Sequence, residues 1–83
     1  MVHRLKISPL YFSDVKSGKK SFEVRLNDRD YKEGDILILE EFDGEQYTGR
    51  VCHKFVKYIL DYFPQGLRKG YVVLGLGDYD VQN

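Results

Sequence analysis

The stretch from residue 22 to residue 26 alternates strictly between apolar and charged side chains. Phe22, Val24 and Leu26 share one parity, and Glu23 and Arg25 share the other. Because successive side chains of a strand point to opposite faces, this pattern predicts a half-buried strand. We expect the three apolar side chains to face the core and the two charged side chains to lie together on a solvated face.

A short helix is predicted just before this strand. Ser8 is followed by Pro9, the arrangement of an N-cap serine with proline at the first helical position. Gly18 accepts the positive φ of a helix C-terminus, so it marks the end of the helix. Helical spacing indicates Leu10 and Val15 as the residues that face inward.

Four further segments have the pattern of strands. Residues 2–7 place His3, Leu5 and Ile7 on one parity, and residues 36–40 and 71–76 are nearly continuous apolar runs. Asp43-Gly44 indicates a hairpin turn leading into a strand from residue 47. The segment 55–63 fits the spacing of both a helix and a strand, and its β-branched and aromatic content favours a long twisted strand.

The order of these segments predicts the fold class. Five strands and one or two short helices make the chain mainly β, in the α+β class, and favour a small closed or half-open β-barrel. The length of 83 residues corresponds to one domain, residues 1–83. We find no apolar run long enough to span a membrane and no leader sequence, and we expect a cytoplasmic protein.

The few cysteines and histidines limit the chemistry that we expect. One cysteine, Cys52, excludes an internal disulfide and a multi-cysteine zinc site. With only two histidines, His3 and His53, we expect neither a metal site nor a cofactor. His3 is a candidate general acid–base because histidine as a residue type changes charge near neutral pH, although a strand histidine is more often structural.

Charge is distributed unevenly although the net charge is zero. Residues 1–32 carry eight Lys and Arg against four acids, whereas residues 33–49 carry six acids and no base. This asymmetry predicts a local cationic pocket rather than a surface that coats polyanions generally. The acidic run is most simply a solvated sheet edge.

The candidate ligand-binding residues belong to the basic first third of the chain. Lys6 and Arg29 are candidate phosphate ligands, and Tyr11 or Phe12 is a candidate for stacking on a base, with Phe12 the one expected in the core. Glu23 either accepts a hydrogen bond from a base edge or holds its neighbouring cations in place. A solvated strand face with weak salt bridges is the competing interpretation. The full candidate set is Lys6, Tyr11, Lys19, Lys20, Glu23, Arg25, Asn27 and Arg29.

The segment Gly18-Lys19-Lys20-Ser21-Phe22-Glu23-Val24-Arg25 resembles the G-x-K-x-x-E-x-R signature of ASCH domains in the PUA-like superfamily. More closely, the whole chain resembles a small uncharacterised subgroup from bacteria and their phages. That wider resemblance also includes residues 3–6, 9–12, 27–29, 34–35 and 70–76.

The resemblance implies a PUA-like β-barrel whose signature strand lines a cleft beside the helix. ASCH domains are mostly proposed to bind RNA or act on nucleotides, and some relatives remove the acyl group from acylated cytidine. By position, the signature lysine of those enzymes corresponds to Lys20. Glu23 stands where they have a threonine, and their later glutamate has no evident counterpart here.

Three hypotheses follow. The first is a module that binds nucleic acid, with RNA as first choice, or a nucleotide, in a basic cleft beside the signature strand. The second is a small hydrolase acting on a modified nucleoside or RNA, with Lys20, Glu23 and His3, which we expect to share one cleft, as catalytic candidates. The third is a phage protein that binds a host protein. We expect binding without catalysis, no membrane association, and a monomer or weak dimer.

Overall fold

A curled half-barrel sheet of five strands, with one short helix against it, makes up the computed structural model, which describes residues 1–79. The mainly β class with a short early helix is therefore confirmed. In chain order the elements are β1 (Val2–Ile7), α1 (Pro9–Ser17), β2 (Phe22–Leu26), β3 (Ile36–Phe42), β4 (Tyr47–Leu60) and β5 (Tyr71–Asp78).

The strands follow one another in the sheet in the order β1-β3-β4-β5-β2. The β1–β3 pair is parallel, and the other three pairs are antiparallel. The first two strands of the chain are therefore the two edges of the sheet. Arg25 Nη2 donates to the carbonyl of Lys6 at 2.6 Å, and Arg29 Nη1 donates to the carbonyl of Arg4 at 3.1 Å. Guanidinium groups thus bridge the seam between β1 and the β2 side, where no pairing among the described strands closes the sheet.

Helix α1 begins and ends as its sequence predicts. The Ser8 hydroxyl accepts from the Leu10 amide at 3.1 Å, and Gly18 has φ 87°. Phe12 and Val15 are fully buried, but Leu10 is exposed, so the inward placement of Leu10 was wrong. Leu10 lies about 200° around the helix axis from Phe12, which places it on the opposite side. Within residues 1–79, no helix is both long and apolar enough to cross a membrane.

Strand β4 settles the segment whose secondary structure was uncertain from its spacing. The strand continues to Leu60, with an irregularity between Val56 and Tyr58, and residues 61–63 lie outside it. The hairpin before β4 is confirmed by the Asp43 amide, which donates to the Gln46 carbonyl at 3.0 Å. The inner face of the sheet and α1 enclose the core, which contains Leu5, Ile7, Phe12, Val15, Tyr31, Leu37, Leu39, Cys52, Val56, Val72, Leu74 and Leu76.

Strand β2 is a strand as predicted, but its faces are inverted. Glu23 is 5% exposed, whereas Phe22, Val24 and Leu26 are 44%, 53% and 51% exposed. The inward-facing side chains of this edge strand are Glu23 and Arg25. Glu23 contacts Lys20 and Arg25, and Arg25 also contacts the edge of β1. A buried carboxylate is tolerated there because both of its oxygens accept hydrogen bonds from cations.

The acidic run is only partly a solvated edge, because Asp35 and Glu41 are buried. Asp35 shares a 2.8 Å hydrogen bond with His3 Nε2 and accepts from the Lys32 amide at 3.0 Å. Glu41 accepts from the Thr48 hydroxyl at 2.6 Å. These two carboxylates fix the ends of β3 rather than repel neighbouring strands.

The Asp35 contacts predict a loss of stability in acid. Burial alone would raise the pKa of Asp35, but hydrogen bonds from His3, the Lys32 amide and the terminal ammonium together lower it to about 2 from 3.8. A lowered folded-state pKa contributes stability above pH ~4 that is lost as the pH falls toward 2. We expect this contribution to be about 2 kcal/mol.

Urea unfolding at pH 7 and at successively lower pH tests this expectation. The difference in unfolding free energy between wild type and Asp35→Asn should shrink steadily below pH ~4. A difference that is constant down to pH ~2 would show that the Asp35 charge does not contribute.

Candidate functional site

A cleft of about 560 Å³ lies where the edges of β1 and β2 face each other beside α1. It combines cations, one buried carboxylate and two exposed aromatic rings. Its lining residues are Lys6, Ile7, Ser8, Tyr11, Lys20, Phe22, Glu23, Val24 and Arg25. The polar residues of the signature therefore lie in one cavity with residues of β1 and α1.

Glu23 is the centre of an ion network in this cleft. Its Oε1 accepts from Lys20 Nζ at 2.7 Å. Its Oε2 accepts from Arg25 Nε at 3.0 Å and from Arg25 Nη2 at 2.8 Å. Each of the three side chains is more than three-quarters buried, so removing one partner would leave a poorly solvated charge. The network holds Lys20 and Arg25 in fixed positions and leaves the group with one net positive charge.

The Lys20 ammonium also contacts two aromatic rings. Nζ lies 4.9 Å from the centroid of Tyr11 and 4.8 Å from that of Phe22. Both rings are nearly half exposed, and both line the cleft. Phe12, the other stacking candidate, is fully buried as expected, and Arg50 stacks on it at 4.4 Å.

Further cations continue the cleft along the seam. An adjoining recess of about 530 Å³ contains Arg4, Lys6, Arg25 and Arg29 together with Glu40. Glu40 pairs with Arg4 at 3.2 Å, whereas the Lys6 ammonium lies over the Phe42 ring at 4.2 Å. The seam therefore presents several cations along a short path on the protein surface.

The N-terminus of α1 adds a further positive contribution. Ser8, its N-cap, lines the cleft next to Lys6. The first amides of α1 are already used, because Pro9 has none and those of Leu10, Tyr11 and Phe12 donate to Ser8. The contribution is therefore that of the helix dipole, which favours a negatively charged group nearby. No acidic residue occupies the first turn of α1 to offset this.

Two of the predicted binding residues lie away from the cleft. Lys19 is exposed and does not line the cavity. Asn27 accepts from the Tyr31 amide at 3.3 Å, so it shapes the turn after β2. Lys6, Tyr11, Lys20, Glu23 and Arg25 do line the cleft, and Arg29 lies in the adjoining recess.

His3 is also separate from the cleft. It is buried, hydrogen-bonds to Asp35, and stacks edge-on against Tyr31 with ring centroids 4.9 Å apart. The prediction that His3 shares one cleft with Lys20 and Glu23 was therefore wrong. Its inward parity on β1 points it into the core, while Lys6 on the other parity lies at the seam.

Sequence reasoning missed Arg4, Ser8 and the exposed ring of Phe22 as parts of the site. Arg4 has the same strand parity as Lys6, and Ser8 was recognised only as a helix cap. Both features of the sequence could have placed these residues at the site. Phe22 was assigned to the core because its alternation with charged neighbours does not say which face is buried. Among the residues that the structure describes, no group of three or more His, Cys, Asp or Glu side chains is placed to hold a metal ion.

The family model described as Domain of unknown function (DUF3850) matches residues 2–76. The chain belongs to this family. The match to the DUF3850 domain includes β1, α1, β2, β3, β4 and most of β5, and every residue that lines the cleft lies within it.

A phage protein is similar to this DUF3850 chain. The "Uncharacterized 12.9 kDa protein in GpA 3'region" of Escherichia phage P2 is 45% identical to it over 60 residues. That alignment covers 72% of this chain and 55% of the phage protein, so the similarity spans little more than half of the phage protein. The comparison links the chain to phage proteins.

Proposed function

We propose that this DUF3850 domain binds single-stranded RNA, or a nucleotide, in the cleft between β1 and β2. The observation that carries the proposal is the seam itself, where Lys6, Arg25 and Arg29 lie beside the exposed rings of Tyr11 and Phe22. Positive charge along a groove together with exposed aromatic rings is the combination used for single-stranded nucleic acids.

The arginines retain donors for phosphate. The contacts of Arg25 with Glu23 and Lys6 use Nε and Nη2, and that of Arg29 with Arg4 uses Nη1. This leaves Nη1 of Arg25 and Nη2 of Arg29 to donate to phosphate oxygens. A guanidinium group that other contacts already hold in place loses little conformational entropy when it binds a phosphate.

Aromatic stacking would supply the contact with the bases. Tyr11 and Phe22 border the same cavity as Lys20, and stacking a base on an exposed ring contributes about 1–3 kcal/mol. Helix α1 has nine residues, of which one in the last turn is basic, and so it is poorly suited to reading a duplex major groove.

Glu23 acts as a positioning residue in this proposal. Both of its oxygens already accept from Lys20 or Arg25, so its contacts favour holding those cations over reading a base or transferring a proton. We therefore expect Glu23→Gln to keep or raise phosphate affinity, because one negative charge leaves the cleft. The hydrolase hypothesis retains Lys20 and Glu23 but lacks His3 in the cleft.

Membership of the ASCH group in the PUA-like superfamily is part of the same proposal. Its support is the signature Gly18, Lys20, Glu23 and Arg25, in which Glu23 contacts both Lys20 and Arg25 in the cleft. The half-barrel sheet with a cleft beside the first helix agrees with the architecture that this group implies.

A salt series of RNA binding tests the proposed function. Fluorescence anisotropy with a labelled single-stranded RNA should show affinity that falls steeply as salt rises from ~50 to ~200 mM, because several phosphate contacts release counterions. Absence of binding to RNA, DNA and nucleotides at ~50 mM salt would refute the proposal.

Lys6→Ala is the most informative single substitution for this site. Lys6 is exposed, and its ammonium lies over the Phe42 ring, so its removal should leave the fold intact. We expect weaker RNA binding on every sequence and a salt slope reduced by about 1.

Lys57→Ala is the matched control, because Lys57 is an exposed lysine on β4 that lines neither the cleft nor the recess beside it. Its affinity and salt slope should equal those of wild type. Equal effects of the two substitutions would show that binding is not localised at the seam.

A further inference from the structure

The outer face of β2 continues into an apolar surface on the neighbouring strands. Strand pairing sets Phe22 beside Gly75 and Tyr58, Val24 beside Val73 and Leu60, and Leu26 beside Tyr71. Directly paired residues of adjacent strands project from the same side of a sheet. We call this surface the apolar face; it consists of Phe22, Val24, Leu26, Tyr58, Leu60, Tyr71 and Val73.

The residues of this face are of the types usually buried in a core, but several of them are exposed to solvent. The three β2 side chains are about half exposed, and Tyr58 is 60% exposed. None of the seven residues is charged, whereas the opposite parity of β2 carries Glu23 and Arg25. An exposed apolar surface that extends over three neighbouring strands is typical of a surface that another molecule covers.

From these observations we infer that the apolar face is the interface of a homodimer. Its occupant would be the same face of a second copy, since two apolar surfaces without charge can meet around a two-fold axis without leaving an unpaired charge. The net charge of zero leaves no overall repulsion between copies. Val24, Leu26, Leu60 and Val73 have no π face on which a base could stack, which disfavours nucleic acid as the occupant.

The size of the face fits a weak dimer. Tyr62 and Phe63, which are also exposed, line a recess with Gly70, next to Leu26, and Asp61, Arg68 and Lys69 line the same recess and add charges of both signs at this end of the face. Together with Tyr62 and Phe63 the face offers roughly 600 Å² of apolar surface, taking about 200 Å² for a whole aromatic side chain. A standard interface buries about 800 Å² per partner, so association should be reversible and depend on concentration.

Dimerisation would also affect the cleft. Phe22 and Val24 line the cleft and also belong to the apolar face. A second copy on this face would therefore cover Phe22 at the rim of the cleft, leave Tyr11 as the ring on which a base can stack, and give an assembly with two clefts. An RNA long enough to reach both would then gain affinity by bivalent binding.

Sedimentation velocity of the chain without nucleic acid tests the dimer independently of the proposed function. We expect the mean mass to rise from one chain toward two between about 10 and 500 µM for wild type. Leu26→Lys should remain monomeric, because it places a charge in the interface at a residue that does not line the cleft.

The matched control is Val2→Lys, which replaces an apolar residue of similar exposure, 57% against 51%, on the edge strand β1. Val2→Lys should dimerise like wild type, and thermal melting should show that both variants fold. A wild type that stays monomeric at ~500 µM, or equal loss of dimer in both variants, would overturn the inference. So would a wild-type monomer whose RNA affinity falls in Leu26→Lys, since the face would then bind nucleic acid.

Discussion

Glu23→Ala is expected to lower the unfolding free energy by about 3 kcal/mol, at the low end of the cost of breaking a buried ion pair. The substitution leaves Lys20 and Arg25 close together without the carboxylate that both contact. Their side chains are 19% and 22% exposed, so water only partly replaces that carboxylate. Glu23→Gln keeps one oxygen that accepts a hydrogen bond, and it should lose about 1–2 kcal/mol.

Urea denaturation with Glu40→Ala as the matched control measures this effect. Glu40 pairs with Arg4, whose side chain is mostly exposed, so its removal should cost less than ~1 kcal/mol. If Glu23→Ala proved no more destabilising than Glu40→Ala, Glu23 would not be buried between two cations.

Phe12→Ala is expected to destabilise the domain by about 3–5 kcal/mol, whereas Phe22→Ala should cost about 1 kcal/mol or less. Phe12 is fully buried beneath Arg50, and its removal leaves a cavity in the core. Phe22 is 44% exposed on the outer side of β2. The apolar alternation of β2 predicts the opposite for Phe22, so this pair of variants distinguishes the two orientations of the strand.

Dimerisation could affect the measured stability of Phe22→Ala, because Phe22 belongs to the apolar face. Unfolding should therefore be followed at ~5 µM, below the range where we expect dimers. A loss above ~3 kcal/mol in Phe22→Ala at that concentration would mean that Phe22 is a core residue and that β2 has the orientation predicted from its pattern.

The elements themselves could be predicted because their signals are local. Ser8, Pro9 and Gly18 fix the ends of α1 through capping and positive φ, and Asp43-Gly44 fixes the hairpin before β4. Strand β4 was recovered from its β-branched and aromatic content, although its spacing was ambiguous. Each of these signals depends on neighbours within a few residues.

The faces of β2 could not be predicted because they depend on the order of strands in the sheet. Alternation indicates that residues 22, 24 and 26 share a side, but not which side meets the core. The chain places β2 at an edge beside β1, where Glu23 satisfies its charge with Lys20 and Arg25. Because the three charges pair with one another through Glu23, the charged side chains of this strand can face inward, although such side chains usually face water.

Only part of the site could be predicted, because some of its residues are close in sequence and others come together only in the folded sheet. Lys20, Glu23 and Arg25 are close in sequence, so their grouping followed from the signature. The contribution of Arg4 and the exclusion of His3 depend on how β1 faces the seam. From the same contacts we expect Lys20→Ala and Arg25→Ala both to destabilise the fold, since each leaves Glu23 with a single partner.

Amide chemical-shift mapping of the ¹⁵N-labelled chain with a short single-stranded RNA tests most directly whether the seam binds nucleic acid. We expect saturable shifts at residues 6–8, 11, 20 and 22–25, which line the cleft, with smaller changes at residues 4 and 29. The amides around Lys57 should not move. No shifts at ~1 mM RNA, or shifts confined to residues 61–70, would contradict the cleft as the binding site.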